Sequence, residues 1–306
     1  MPGADKTTYA NCLGRFVLDK NGKLIDTKLF NVDEAIKFLH DTGDEKKVPA
    51  PETLEVFRDE KFFKQFREVN ILLAKQKIKE SFSRDQLIIQ VVAVVEDLDK
   101  VANGLVKRLR DWYALQAPEV THSIESNEKF VKIILDSGKD ILLKELKVGQ
   151  AEAMGAEIST KDSGQVQALA EQVNTVYDIR DHYNSYLESL MKEICPNVYA
   201  ITGTMIGAKL VAIAGGLEKL SQFPASTVQL LGAEKALFRH LKTGAKPPKF
   251  GVLINHPLIT KSKKAEKGKV ARALADKVSI ASKVDYFKGE FIGEQLRKDL
   301  EKRFDQ

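Results

Sequence analysis

Leu231-Gly-Ala-Glu-Lys-Ala-Leu-Phe-Arg-His-Leu-Lys-Thr-Gly-Ala-Lys-Pro-Pro-Lys249 passes from an apolar helix start into a basic loop closed by two prolines. Lys235 and Arg239 are four residues apart and share a helix face, which Lys242 continues about one turn later. Pro247 and Pro248 stiffen the loop between Lys246 and Lys249 and lower its ordering cost on binding. Arg239 can form paired hydrogen bonds to a phosphate or a base edge, whereas the lysines act as point charges. Leu237 and Phe238 are adjacent on the helix, so one faces the core and the other can project toward a protein or a base. Glu234 suits either a cap at the helix start or a protein partner.

The charge around this stretch is concentrated. From Lys235 to Arg272 there are eleven Lys/Arg and one acidic residue, Glu266, a net +10. The whole chain carries +5, so everything outside the window sums to −5. A basic patch of this density points to a polyanion, nucleic acid above all. Composition alone leaves open a solvated lysine-rich loop. Lys261, Lys263, Lys264, Lys267 and Lys269 form a second cluster, read as solvated charge in a flexible loop.

Pro224-Ala-Ser-Thr-Val-Gln-Leu-Leu-Gly-Ala-Glu-Lys-Ala-Leu-Phe-Arg239, with the Lys-Thr-Gly-Ala-Lys-Pro-Pro-Lys loop after it, resembles the Nop domain of the Nop family. These are core proteins of box C/D ribonucleoproteins. Cys195-Pro-Asn-Val198 and Gly207-Ala-Lys-Leu-Val-Ala-Ile-Ala-Gly-Gly-Leu217 look like the opening helices of the same domain. Asp97-Leu-Asp-Lys100 and Leu105-Val-Lys-Arg-Leu-Arg-Asp-Trp-Tyr113 extend the likeness more weakly. The closest overall look is the archaeal form.

The resemblance implies a scaffold, not an enzyme. Its C-terminal domain would bind a small kink-turn-binding protein of the ribosomal L7 type together with box C/D guide RNA. Lys235, Arg239, Lys242, Lys246, Lys249 and Arg272 are assigned to RNA, and Glu234, Leu237, Phe238, Pro247 and Pro248 to the kink-turn protein. The N-terminal domain would bind fibrillarin, whose own residues and cofactor carry out 2′-O-methylation. A coiled coil would make a homodimer. The expected location is the cytoplasm of an archaeon or the nucleolus of a eukaryote. Two alternatives are a splicing-type Nop-domain protein and a stand-alone helical nucleic-acid-binding protein.

The expected fold is mostly α, with four parts: a small α/β domain over 1–83, a long linking helix over 84–118, a coiled-coil hairpin over 119–194 and an all-helical Nop domain over 195–306. In the first part, apolar runs at Tyr9–Leu18 and Leu24–Phe30 flank Asp19-Lys-Asn-Gly22, a turn signal, and predict a β-hairpin. Asn31-Val-Asp-Glu34 reads as a helix cap with Glu at the third position. Phe57, Phe62, Phe63 and Phe66 read as a core cluster. In the second part, Leu87, Val91, Val94, Leu98, Val101, Leu105, Leu109 and Trp112 repeat at helical spacing, and Ile88, Val92, Val95, Ala102 and Val106 widen the stripe.

The third part carries four heptads: Val166, Leu169, Val173, Val176, Arg180, Tyr183, Leu187, Leu190 and Ile194. Its expected partner is a helix over 137–154, with Ser159–Gly164 as the hairpin tip. Val166, Leu169, Val173, Val176, Tyr183, Leu187 and Leu190 are assigned to dimerisation; an intramolecular hairpin without a partner is the alternative.

No catalytic constellation is present in the sequence. The five histidines lack metal-ligand spacing, and no metal or cofactor is expected. Thr202-Gly-Thr-Met-Ile-Gly-Ala-Lys209 lacks the spacing of a phosphate loop, so Gly203 and Gly207 read as sites of close helix packing. Cys12 and Cys195 are isolated and read as free buried thiols. No run approaches the roughly 20 apolar residues of a membrane span.

Overall fold

The computed structural model describes residues 7–11, 14–19, 24–31, 34, 37–38, 60–137, 141–143 and 153–304. The chain divides into two compact units, residues 1–83 and 84–306.

The first unit holds a three-stranded antiparallel sheet, β1 (Thr7–Asn11), β2 (Gly14–Leu18) and β3 (Leu24–Leu29), in that order. The expected two-strand hairpin is thus a meander, because the first apolar run is two strands and not one. Asn11 pairs with Gly14, and Gly14 with Leu29. A side chain at Gly14 would set its Cβ 2.3 Å from the Lys28 carbonyl oxygen, so the close approach of β3 requires glycine there. Asn31 and Glu34 form the reciprocal cap: Glu34 N donates to Asn31 Oδ1 at 2.8 Å and Asn31 N to Glu34 Oε2 at 3.0 Å. Helix α1 (Glu60–Glu80) buries Phe62 edge-on against Phe16. Phe63 and Phe66 are exposed, so the phenylalanines do not form one core cluster; Phe57 lies outside the described residues.

Among the described residues the second unit contains helices and no strand. Helix α2 (Asp85–Tyr113) runs 29 residues. Two short helices follow, α3 (Pro118–Ser123) and α4 (Asn127–Asp136), and then α5 (Thr160–Ile194), of 35 residues. The first half of α2 (Ile88, Val91, Val92, Val95) packs with the last half of α5 (Leu187, Leu190, Met191). The second half of α2 (Ala102, Val106, Leu109, Tyr113) packs with the first half of α5 (Val166, Ala170, Val173, Tyr177), under Phe130 and Val131 of α4. The two long helices are therefore antiparallel partners.

That pairing corrects one expectation. Ser159–Gly164 is no hairpin tip: Ser159 caps α5 by accepting from Asp162 N at 3.2 Å, and Thr160–Gly164 is its first turn. The described partners of α5 are α2 and α4, joined by Leu142 and Leu143; most of 137–154 lies outside the described residues. Val166, Val173, Leu187 and Leu190 of the heptad seam are buried inside the chain, and its other positions are half-buried. Arg180, its one charged member, bridges three elements through Asp99 (3.7 Å), Glu128 (3.3 Å) and Asp181 (2.7 Å), and stacks over Tyr177. Arg110 of α2 fastens the turn between α3 and α4, donating to the carbonyls of Thr121 and Ile124, both at 2.8 Å, and lying over Phe130.

After α5 come α6 (Pro196–Thr202), α7 (Thr204–Ala214), α8 (Leu217–Gln222), α9 (Ala225–Leu230), α10 (Glu234–Thr243), a 3-10 turn (Val252–Asn255), α11 (Pro257–Lys261), α12 (Lys267–Tyr286) and α13 (Gly293–Phe304). The hub is α12, which packs on α6, α8, α9, α11 and α13. Gly207 is buried, and a Cβ there would meet Met191 at 2.9 Å and Thr202 Oγ1 at 2.7 Å, so close packing explains it. Gly203 is different: it is open on its side-chain side and is set by a φ of +73° between α6 and α7.

Buried polar groups fasten this core. Asp285 accepts from Asn197 N (3.0 Å), Val198 N (2.9 Å) and Asn197 Nδ2 (2.7 Å), capping α6, while Asn197 Oδ1 accepts from Ile292 N. Burial pushes the Asp285 carboxyl up despite those bonds. Asp85 accepts from Leu217 N at 2.6 Å at the start of α8, where Gly216 has φ +129° and leaves it room. Cys195 is a free, buried thiol held well above its ordinary pKa, first by burial, so it is unreactive; Cys12 lies outside the described residues.

Candidate nucleic-acid interface

Helix α10 contains no buried residue. Ala233 precedes it and has no capping side chain, and Glu234 accepts from Gly232 N at 2.7 Å in the turn before the helix. Leu237 turns partly inward; Phe238 is 64% exposed. Leu241, one turn on, is 71% exposed, and sequence reading did not single it out. Its signal was available: Leu241 stands three residues from Phe238, so the two share a face. Lys235, Arg239 and Lys242 are exposed around this apolar pair.

The helix ends at Gly244, whose φ of +68° few other residues adopt. His240 Nδ1 donates to the Ala245 carbonyl and folds the following loop back toward the helix. The loop is then clamped at its far end. Gln229 Nε2 donates to Lys249 O (2.6 Å), Gly251 N to Gln229 O (2.8 Å) and Val252 N to Leu231 O (2.8 Å). A Cβ on Gly251 would sit 1.8 Å from Leu231 O, so only glycine allows this contact. Phe250 packs partly against the core. Lys246, Pro247 and Lys249 are exposed and Pro248 is half-buried.

The structure thus brings Lys235, Arg239, Lys242, Lys246 and Lys249 onto one helix and one tethered loop. It places Arg272 elsewhere, exposed on α12. Among the described residues none of the eleven cations between Lys235 and Arg272 forms an ion pair. Elsewhere in the second unit Lys209 reaches Glu96 (2.9 Å), Lys277 reaches Asp299 (3.0 Å) and Arg84 reaches Glu193. The difference is local composition: carboxylates are present outside the window and nearly absent within it.

The seven residues assigned to dimerisation lie in or against the chain's own core. Val166, Val173, Leu187 and Leu190 are buried in the chain's own core, and Leu169, Val176 and Tyr183 pack partly against it. Exposed on α5 instead are Ile179 and Tyr186, one heptad apart. Among the described residues no group of three His, Cys, Asp or Glu is placed to hold a metal ion. No described helix is long and apolar enough to cross a membrane.

This helical domain thus presents a dense set of cations, unpaired among the described residues, on ordered backbone. The chain belongs to the Nop family: residues 94–306 match it, under the description "snoRNA binding domain, fibrillarin". An uncharacterized NOP5 family protein of Methanocaldococcus jannaschii is 43% identical over 249 residues, covering 76% of this chain and 60% of that protein. Nucleolar protein 58 of Aspergillus terreus is 40% identical over 228 residues, covering 70% and 40%. The chain therefore spans only about half the length of these curated relatives. A crystal structure of a fibrillarin/Nop5p complex aligns with 98% of this chain and 99% of the solved one, at 23% identity and a TM-score of 0.49.

Proposed function

We propose that the chain is a non-catalytic scaffold of a box C/D guide-RNA ribonucleoprotein that directs 2′-O-methylation. The observation carrying this reading is the set of unpaired cations on α10 and its clamped loop, inside a domain of a snoRNA-binding family. Lys235, Arg239, Lys242, Lys246 and Lys249 contact RNA phosphates. Phe238, with Leu237, Pro247, Pro248 and the newly recognised Leu241, offers an apolar patch to a kink-turn-binding protein of the L7 type. An aromatic anchor rimmed by cations suits such a composite protein–RNA surface.

The N-terminal unit takes fibrillarin, which supplies the catalytic residues and the methyl donor. Self-association uses exposed residues such as Ile179 and Tyr186, since the heptad seam is occupied. The relatives named as nucleolar support a nucleolar site in a eukaryote; in an archaeon the chain would work in the cytoplasm. Reconstitution tests the reading: this chain, fibrillarin, the kink-turn protein, a guide RNA and its target are combined and ribose methylation is measured. Methylation is expected only with every component present; full activity without this chain would overturn the proposal.

A further inference from the structure

One polar layer separates the two apolar clusters of the second unit. On α2 the buried residues of one cluster end at Val95 and those of the other begin at Ala102; on α5 the break falls between Tyr177 and Leu187. Arg180 fills that break with Asp99, Glu128 and Asp181. The layer falls at matching places in both long helices. On α5, Val166, Val173, Arg180, Leu187 and Ile194 recur every seven residues, and on α2 so do Val92, Asp99, Val106 and Tyr113. Antiparallel packing that sets Arg180 level with Asp99 sets Leu187 level with Val92, Val173 with Val106 and Val166 with Tyr113, and all six of these are buried. Each series therefore has one charged member, and the two are of opposite sign and meet.

The α5 series is also symmetrical about Arg180. Val173 and Leu187 stand seven residues to either side, and Val166 and Ile194 fourteen. Two copies of α5 laid antiparallel would match aliphatic with aliphatic at every level except the centre, where Arg180 would meet Arg180. The Arg180 side chain is only 18% exposed, and two like charges withdrawn from water repel strongly. Helix α2 offers a carboxylate at that level instead, and α4 offers a second one in Glu128. A single polar position in an apolar seam fixes register and partner at a cost in stability. We infer that Arg180 selects the partner of this seam: it excludes a second copy of α5 and reserves the buried face for α2 and α4 of its own chain. The choice is made as the chain folds, while the seam is still open. Ile179 and Tyr186 stay exposed on α5, so self-association through them is untouched by this selection.

The test is refolding of the full chain from denaturant over a wide range of protein concentration. Sedimentation velocity gives the masses of the products. A spin label on Asp178→Cys, an exposed position of α5, reports distances between α5 helices, with Cys12→Ser in the same chain and Cys195 buried. Arg180→Leu is expected to add a species heavier than the refolded unaltered chain, in a fraction that rises with concentration, and with it a label-to-label distance that the unaltered chain lacks. Arg180→Lys keeps the charge and should refold as the unaltered chain does. Where Arg180→Leu alone does not fold, Arg180→Leu with Asp99→Leu leaves neither seam a lone charge and is expected to show the same heavier species. Leu variants that return only the unaltered species would overturn the proposal, and so would a heavier species without the new distance. Loss of folding in both Leu variants would make Arg180 a stabilising tie and nothing more, and an Arg180→Lys chain that associates as the Leu variant does would remove charge as the selecting property.

Discussion

Gly251 fixes where the basic loop lies. Its missing Cβ lets the chain pass against Leu231 O, and two backbone hydrogen bonds follow from that approach. Gly251→Ala is expected to cost at least about 2 kcal/mol, since the obstructing atoms are backbone and cannot rotate away. Thermal unfolding should show the loss, and RNA binding should weaken as Lys246 and Lys249 are displaced; an unchanged melting temperature would contradict the contact. His256 is a second single-residue determinant. Its Nε2 donates to Ile201 O (3.0 Å) and its Nδ1 accepts from Leu258 N (3.3 Å), so both ring nitrogens are used by the neutral form. Burial lowers its pKa, against the opposing effect of the Ile201 bond. The unfolded chain therefore takes up a proton near pH 6.5 that the folded chain refuses, and stability falls as pH drops through that value toward the folded pKa. His256→Gln should be less stable at neutral pH yet lose less on moving from pH 7.5 to 5.5, a comparison that calorimetry can make. Neither role was legible in the sequence, because a backbone contact 20 residues away and a ring between two main-chain groups leave no spacing signature.

At the scale of elements, both long helices were legible and their buried faces only partly so. The apolar positions of α2 form two heptad series one residue apart. Of the main stripe Leu87, Val91, Val94, Leu98, Val101, Leu105, Leu109 and Trp112, only Val91 and Leu109 are buried, whereas all five residues that widen it, Ile88, Val92, Val95, Ala102 and Val106, are buried; Val94, Val101 and Trp112 are exposed. Periodicity identifies a helix; choosing between adjacent seams needs the partner, here α5. The α5 seam shows the same limit. A heptad repeat reports that a long helix packs lengthwise, whether the other helix belongs to the same chain or to a second one. Leu187 is fully buried and Val176 partly so, within one chain. Leu187→Ala is expected to cost about 2–5 kcal/mol. Val176→Glu with Leu187→Glu should abolish cooperative unfolding, because a buried unpaired carboxylate adds to the lost packing. A stable, cooperatively folded monomer from that double variant would refute the intrachain assignment and restore the seam as a dimer contact.

Across the whole molecule, charge is the property that was most legible, because it needs no geometry to count. The window from Lys235 to Arg272 holds +10 against −5 for the remainder, and the structure adds that none of its cations is neutralised by a neighbour among the described residues. Such an asymmetry orients an approaching polyanion and speeds its encounter, but it does not discriminate among RNAs. Discrimination has to come from shape and from the apolar patch of Phe238 and Leu241, which charge counting cannot see and of which only Phe238 was anticipated. The two contributions separate experimentally. Arg239→Ala with Lys242→Ala removes two of the proposed phosphate contacts, and the salt slope for box C/D RNA should become shallower by roughly 2. Phe238→Ala with Leu241→Ala leaves every charge in place, so the slope for RNA alone should hold while the gain in affinity on adding the kink-turn protein disappears. Binding titrations with and without that protein distinguish the cases. Equal affinity of the unaltered chain in both conditions would remove the composite surface and leave a purely electrostatic RNA-binding domain.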